Sequence, residues 1–175
     1  MSKRTVDLNV EDAYQKLKTL LNGRGCKVIS EASPKQITFL QGSLWGISPK
    51  TAKKTIHITL EPEPPKTTIT YSSKLTSDWK NITIVGCILA AVLAGVCMWM
   101  ALDLGAFLAT GAPSVWSWLV TAEDQVEFRA GEAFVNLAWG LAIFLFVVIA
   151  VEAIVFVYAR SRIEAFAAEV IGELA

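Results

Sequence analysis

One histidine and three cysteines stand among 175 residues, and that scarcity excludes most site chemistry. Cys26, Cys87 and Cys97 have no metal-ligand spacing, and a single imidazole makes no metal site. His57 falls on the polar side of an expected strand, between Thr55 and Thr59, where it faces solvent. No carboxylate pair, Ser/His/Asp arrangement, phosphate loop or metal cluster occurs at a usable spacing. The expectation is therefore a protein that is not an enzyme, with no cofactor and no small-molecule substrate. The lysines do not interleave with aromatics as a nucleic-acid platform would, so no nucleic-acid partner is expected either. No secretory signal is expected either, because Met1 to Asn22 is too polar and has no apolar stretch of the needed length.

Charge itself is absent from two long stretches. Ile82 to Leu102 and Ala133 to Val151 contain no charged residue, and the second reaches Ala159 if the lone Glu152 is tolerated. A hydrocarbon core of about 30 Å needs about 20 apolar residues at about 1.5 Å rise each. The chain thus reads as an integral membrane protein with spans at about 82–102 and about 133–159. The expected domains are a small soluble α+β domain over residues 1–76 and a membrane domain over 77–175. An acidic external loop, 103–132, joins the spans, and an amphipathic cytoplasmic helix, 160–174, follows the second.

Thirteen of the 16 Lys and Arg precede residue 81, against seven acids, whereas 103–132 holds five acids and only Arg129. Positively charged flanks stay on the cytoplasmic side. Both termini are therefore expected inside a cell (inner or plasma) membrane, with Glu123, Asp124 and Glu127 outside.

Within the soluble part, Asn9 can cap a helix whose first turn carries Glu11 and Asp12. Val10, Ala13, Tyr14, Leu17 and Leu21 then share one face, and Asn22-Gly23 and Gly25 stop it. Four candidate strands follow: Cys26 to Glu31, Gln36 to Gly42, Lys54 to Glu61 and Lys66 to Ser73. In the third, Ile56, Ile58 and Leu60 alternate with polar residues. One helix covering a four-stranded antiparallel meander, α-β-β-β-β, is the expected fold.

In a meander, the fourth strand and the Ser43 to Lys53 connection end on the same side, toward the first span. That connection carries Leu44, Trp45 and Ile47, then Lys50 and Lys53 with Lys54 next. Trp79 and Lys80 repeat the combination at the mouth of the span, and Trp99, Trp116 and Trp118 mark the outer end. Rings at headgroup depth and amines near anionic lipid suit a membrane interface. The alternative for Trp45 is a place in the core, with the lysines solvated.

Gly86, Ala90 and Ala94 form a small-residue stripe on the first span, and Cys87, Ala91 and Gly95 adjoin it; such faces let helices approach closely. Asp103 sits at the outer interface or just above it. Glu152 lies within the second span, where it is expected to pair with a cytoplasm-proximal group such as Lys80 or Arg160 or to snorkel, with an ion or proton site as the other reading. After Arg160, Ile163, Phe166, Val170 and Leu174 keep helical spacing. With no Pro or Gly from Leu141 to Ile171, the second span is expected to run straight on and to pack its apolar stripe against protein.

These features point to a non-catalytic membrane protein acting through association, as a homo-oligomer or an accessory subunit of a larger complex. Its partners are the bilayer and other membrane helices. The alternatives are an oligomeric ion channel with an acidic outer mouth around Asp103 and a lipid-interface sensor built on the Trp45 loop.

Overall fold

The computed structural model describes residues 2–122 and 125–174, so Glu123 and Asp124 lie outside the described residues. The chain divides into two compact units. Unit 1 is Met1–Thr83 with Ile154–Ala175, and unit 2 is Ile84–Ala153.

Unit 1 starts with a strand that the pattern did not predict, β1 (Ser2–Val6). Helix α1 (Val10–Gly23) follows, with the Asn9 side chain accepting from the Asp12 N–H and Ala13, Tyr14, Leu17 and Leu21 buried. The meander is β2 (Lys27–Ala32), β3 (Gln36–Gln41), β4 (Lys54–Glu63) and β5 (Lys66–Leu75). All pairings are antiparallel in the order β1-β5-β4-β3-β2, so the sheet has five strands rather than the expected four. β1 escapes a pattern search because Ser2, Lys3, Arg4 and Thr5 offer no apolar alternation and only Val6 enters the core. It is an edge strand held by its register with β5, Ser2 opposite Tyr71.

Cross-strand pairs build the buried face of the sheet: Ile37 opposite Ile58, Phe39 opposite Ile56 and Leu60 opposite Ile69. On the other face His57 is exposed, and its Nδ1 lies 3.0 Å from the Thr38 hydroxyl.

Two 34-residue helices, α2 (Ser77–Thr110) and α3 (Phe128–Ser161), are each long and apolar enough to cross a membrane. Both overrun the expected spans, at about 51 Å by rise per residue. α2 stops where the Gly111 N–H bonds back to the Phe107 carbonyl at 2.8 Å and Gly111 takes φ +70°, the left-handed turn that terminates helices. The connection shrinks to residues 111–127, with a 3-10 turn at Ser117–Leu119 and a short ribbon pairing Thr121 with Val126.

The second helix does not continue straight into the tail. A turn at 162–164 separates α3 from α4 (Ala165–Gly172). α4 turns its stripe onto unit 1, where Phe166, Ala167, Val170, Ile171 and Leu174 join one core with Tyr14, Leu17, Phe39 and Ile56. The tail helix thus completes the core of the N-terminal domain instead of standing apart from it. The reason is the sheet: α1 alone covers only part of its apolar face, and α4 packs beside α1 against β5.

Candidate functional site: an apolar helix pair and a braced tryptophan loop

In unit 2, α2 and α3 pack antiparallel through a thin seam. Ala90, Ala94, Ala101 and Leu104 are buried on α2, and Ala138 and Ala142 on α3. Positions 138, 142, 145, 149 and 152 on α3 are buried or half-buried in alternating steps of four and three. That spacing keeps one face of a helix against its partner along a left-handed crossing. Two contacts fix the register. A Cβ on Gly86 would lie 3.5 Å from a Glu152 carboxylate oxygen, and one on Gly131 would lie 2.7 Å from a Leu108 methyl.

The seam absorbs the small stripe Gly86, Ala90 and Ala94. Ala91 and Gly95 remain exposed, with nothing within 4 Å of a Cβ on Gly95. Elsewhere the apolar side chains point outward, and only 11% and 6% of the most apolar stretches of the two helices are buried. A core helix of a soluble domain would show the reverse.

Glu152 sits on the seam, half-buried, and the Cys87 Sγ–H donates to its Oε2 at 3.4 Å. Among the described residues its carboxylate makes no ion pair with Lys80 or Arg160, contrary to expectation. The cause is angular, since Glu152 lies on the face turned to α2 whereas Arg160 is exposed.

Asp103 is engaged too. Its Oδ2 accepts from the Ser114 hydroxyl at 2.5 Å and from the Val115 N–H at 3.0 Å, tying the chain after Pro113 back onto α2. Trp99 meets Trp116 edge-on at 5.4 Å, and Trp118 is exposed.

In unit 1, the loop between β3 and β4 is closed by backbone hydrogen bonds. The Ser43 N–H bonds to the Thr51 carbonyl at 2.8 Å, and the Lys53 N–H to the Ser43 carbonyl at 3.1 Å. Gly42, at φ +90°, and Gly46 lie so close to the backbone of Thr51 and Ala52 that neither position has room for a side chain. Trp45 is then left 84% exposed and Ile47 73% exposed, which removes Trp45 from the core.

The remaining anchors divide. Trp79 is 3% exposed; its Nε1–H donates to the Gly46 carbonyl at 3.0 Å and its ring stacks on Phe156 at 6.0 Å. It holds the loop against the first turn of α2, packed with Ala52, Leu75 and Ala159, and with Ile163 at the edge of the cluster. Lys54 is fully buried, donates to the Pro49 carbonyl, and lies 5.4 Å from the Phe166 ring centre. Burial pushes its ammonium down from 10.5 to about 8.

Lys53 pairs with Asp78 at 2.6 Å, and Lys50 with Glu169 on α4. Lys50 and then Arg24 hold the Glu169 carboxyl below the ordinary carboxylate range. Of the expected interfacial lysines, only Lys80 is exposed and outside any ion pair among the described residues. Spacing alone could not separate these fates, because the partners Asp78, Glu169 and Phe166 lie far along the chain.

Among the described residues no group of three or more His, Cys, Asp and Glu side chains is placed to hold a metal ion. No family model matches the chain, and no curated protein matches it in sequence.

Proposed function

We propose that this is a non-catalytic integral membrane protein of the cell (inner or plasma) membrane, with two spans and both termini cytoplasmic. It acts through association, as a homo-oligomer or as an accessory subunit of a larger membrane complex. The observation that carries this reading is the outward surface of the helix pair. Ile84, Ile88, Leu89, Val92 and Leu93 on α2, with Ile143, Phe144, Val147 and Val151 on α3, are all exposed. Soluble monomers rarely expose contiguous apolar patches above a few hundred Å². Lipid or neighbouring helices satisfy such a surface; water does not.

The chain before α2 and the chain after α3 belong to one compact unit, which supports termini on a single side. The chain before α2 is net basic, and Arg160 and Arg162 stand at the end of α3, which supports the cytoplasmic side. For association, the tail stripe and the Gly86, Ala90, Ala94 stripe are already consumed within the chain. What remains is the exposed pair Ala91 and Gly95, one turn apart, where a second helix backbone can come close.

Alkaline carbonate should leave the chain in the membrane pellet. Extracted from native membranes in mild detergent, it should co-purify at a fixed ratio with further copies or with other chains, and Gly95→Leu should weaken that ratio. Release into the carbonate supernatant would refute the membrane reading. A solitary protomer, unaltered by Gly95→Leu, would refute association while leaving the membrane reading intact.

A further inference from the structure

Within unit 1, a cavity of about 620 Å³ opens between the end of β5, the start of α2 and the end of α3. Lys74, Lys80 and Arg160 line it and are exposed. Among the described residues no carboxylate forms an ion pair with any of them; Asp78, the acid nearest Lys74 and Lys80 in sequence, is taken by Lys53, and Glu164, four residues beyond Arg160, accepts from the Ser2 hydroxyl. Ser73 also lines the cavity, and its hydroxyl is buried without a hydrogen-bond partner. Ser77 opens α2 at the same place, so the positive end of that helix adds to the field of the three cations.

Three cations lining one cavity describe a receptor for a phosphate-bearing anion. The rest of the wall is apolar, formed by Leu75, Phe156 and Ile163, which a free phosphate would not use. Within a turn of the cavity the outward residues become apolar: Ile82 on α2 is 44% exposed and Val157 on α3 is 64% exposed. The cations therefore stand at the level where polar chain gives way to lipid-facing chain. Basic pockets of this kind, on the cytoplasmic side between membrane helices, suit anionic headgroups.

Resting on the membrane reading above, we infer that this cavity binds the headgroup of an anionic phospholipid. The phosphate lies among Lys74, Lys80 and Arg160, and the glycerol and first acyl carbons lie on Phe156 and Ile163. The loop that carries the exposed Trp45 is held next to the first turn of α2 by the Trp79 bond to the Gly46 carbonyl. The unit thereby reads the charge of the leaflet it rests on, a capacity that does not follow from having two spans.

The test uses the full chain, the double variant Lys74→Gln/Arg160→Gln, and a charge-matched control, Lys27→Gln/Lys35→Gln, with both changes outside the cavity. All three are first floated with vesicles of phosphatidylcholine alone. Flotation of all three establishes membrane association and folding; failure of the native chain to float would overturn the membrane reading itself. Detergent-solubilised chain is then given phosphatidylglycerol, phosphatidylcholine or inorganic phosphate, and bound molecules are counted by native mass spectrometry.

The expected result is one retained phosphatidylglycerol per chain in preference to phosphatidylcholine. Retention should fall about tenfold or more in the cavity variant and stay unchanged in the control, the scale set by removing two cations near a membrane surface. Equal retention of phosphatidylcholine, or native retention by the cavity variant, would overturn the inference. Full displacement by inorganic phosphate would also overturn it, assigning the cavity to a soluble phosphate-bearing ligand.

Discussion

Raising the pH from about 7 to about 9.5 is expected to stabilise unit 1 by about 2 kcal/mol through Lys54. The residue is fully buried, and burial lowers its pKa from 10.5 in the unfolded chain to about 8 in the fold. Below the folded value both states hold the proton, and the fold bears the full cost of a buried charge. Above it the fold releases the proton while the unfolded chain keeps it, so stability rises with pH by up to about 1.4 kcal/mol per unit. The gain stops once the unfolded lysine also deprotonates, near 10.5.

Cys26 works in the opposite sense, since burial pushes its thiol up and the unfolded thiol ionises first. Because each of the two groups acts on the other, the comparison with Lys54→Met is made with Cys26→Ala in both proteins, which removes the thiol, while the methionine keeps the unbranched stem. Thermal unfolding of the full chain in detergent, followed through tryptophan fluorescence, should show the melting point with Lys54 gaining on that with Lys54→Met. The relative gain should be on the order of 10 °C across this range. Parallel pH profiles for the two proteins would refute the reasoning, since they would mean that the amine reaches water and titrates normally.

Ile171 is fully buried among the sheet, α1 and α4, so Ile171→Ala should cost about 2–4 kcal/mol in denaturant unfolding of the full chain. A loss below about 0.5 kcal/mol would mean that α4 is not part of the core. Ala94→Leu adds three carbons to the seam between α2 and α3 and should destabilise the pair by about 1–3 kcal/mol, read as easier unfolding in mixed micelles of rising dodecyl sulfate content. An unchanged midpoint would place Ala94 away from the contact. Asp103→Ala leaves the Ser114 hydroxyl and the Val115 N–H without their acceptor and should cost about 1–3 kcal/mol. Hydrogen exchange at the Val115 amide should then quicken; exchange as slow as in the native chain would discount the tie.

Much of the local structure is legible from residue order. Asn9 followed by Glu11 and Asp12 specifies a helix start, and the alternation of Ile56, Ile58 and Leu60 specifies a half-buried strand. The two long helices follow from uncharged runs alone. β1 is not legible, because its pairing is carried by backbone groups facing β5 while its side chains are mostly polar and exposed. The roles of the lysines are hidden for a different reason. Lys50, Lys53 and Lys54 look alike in a five-residue window, yet one pairs with α4, one with the first turn of α2, and one is sealed under Phe166.

Apart from β1 and the turn at 162–164, residue order by itself determined where the chain forms helix or strand and which stripes of it are apolar, because those depend on neighbours within a few positions. It did not determine what covers each stripe. The tail stripe and the Gly86, Ala90, Ala94 stripe could equally have met a second copy. Tertiary structure assigned the first to the face of the sheet that α1 leaves open, and the second to the facing side of α3, with Gly86 against Glu152. An apolar face carries no address: burial is favourable against any partner of fitting shape, and only the global arrangement selects which one arrives.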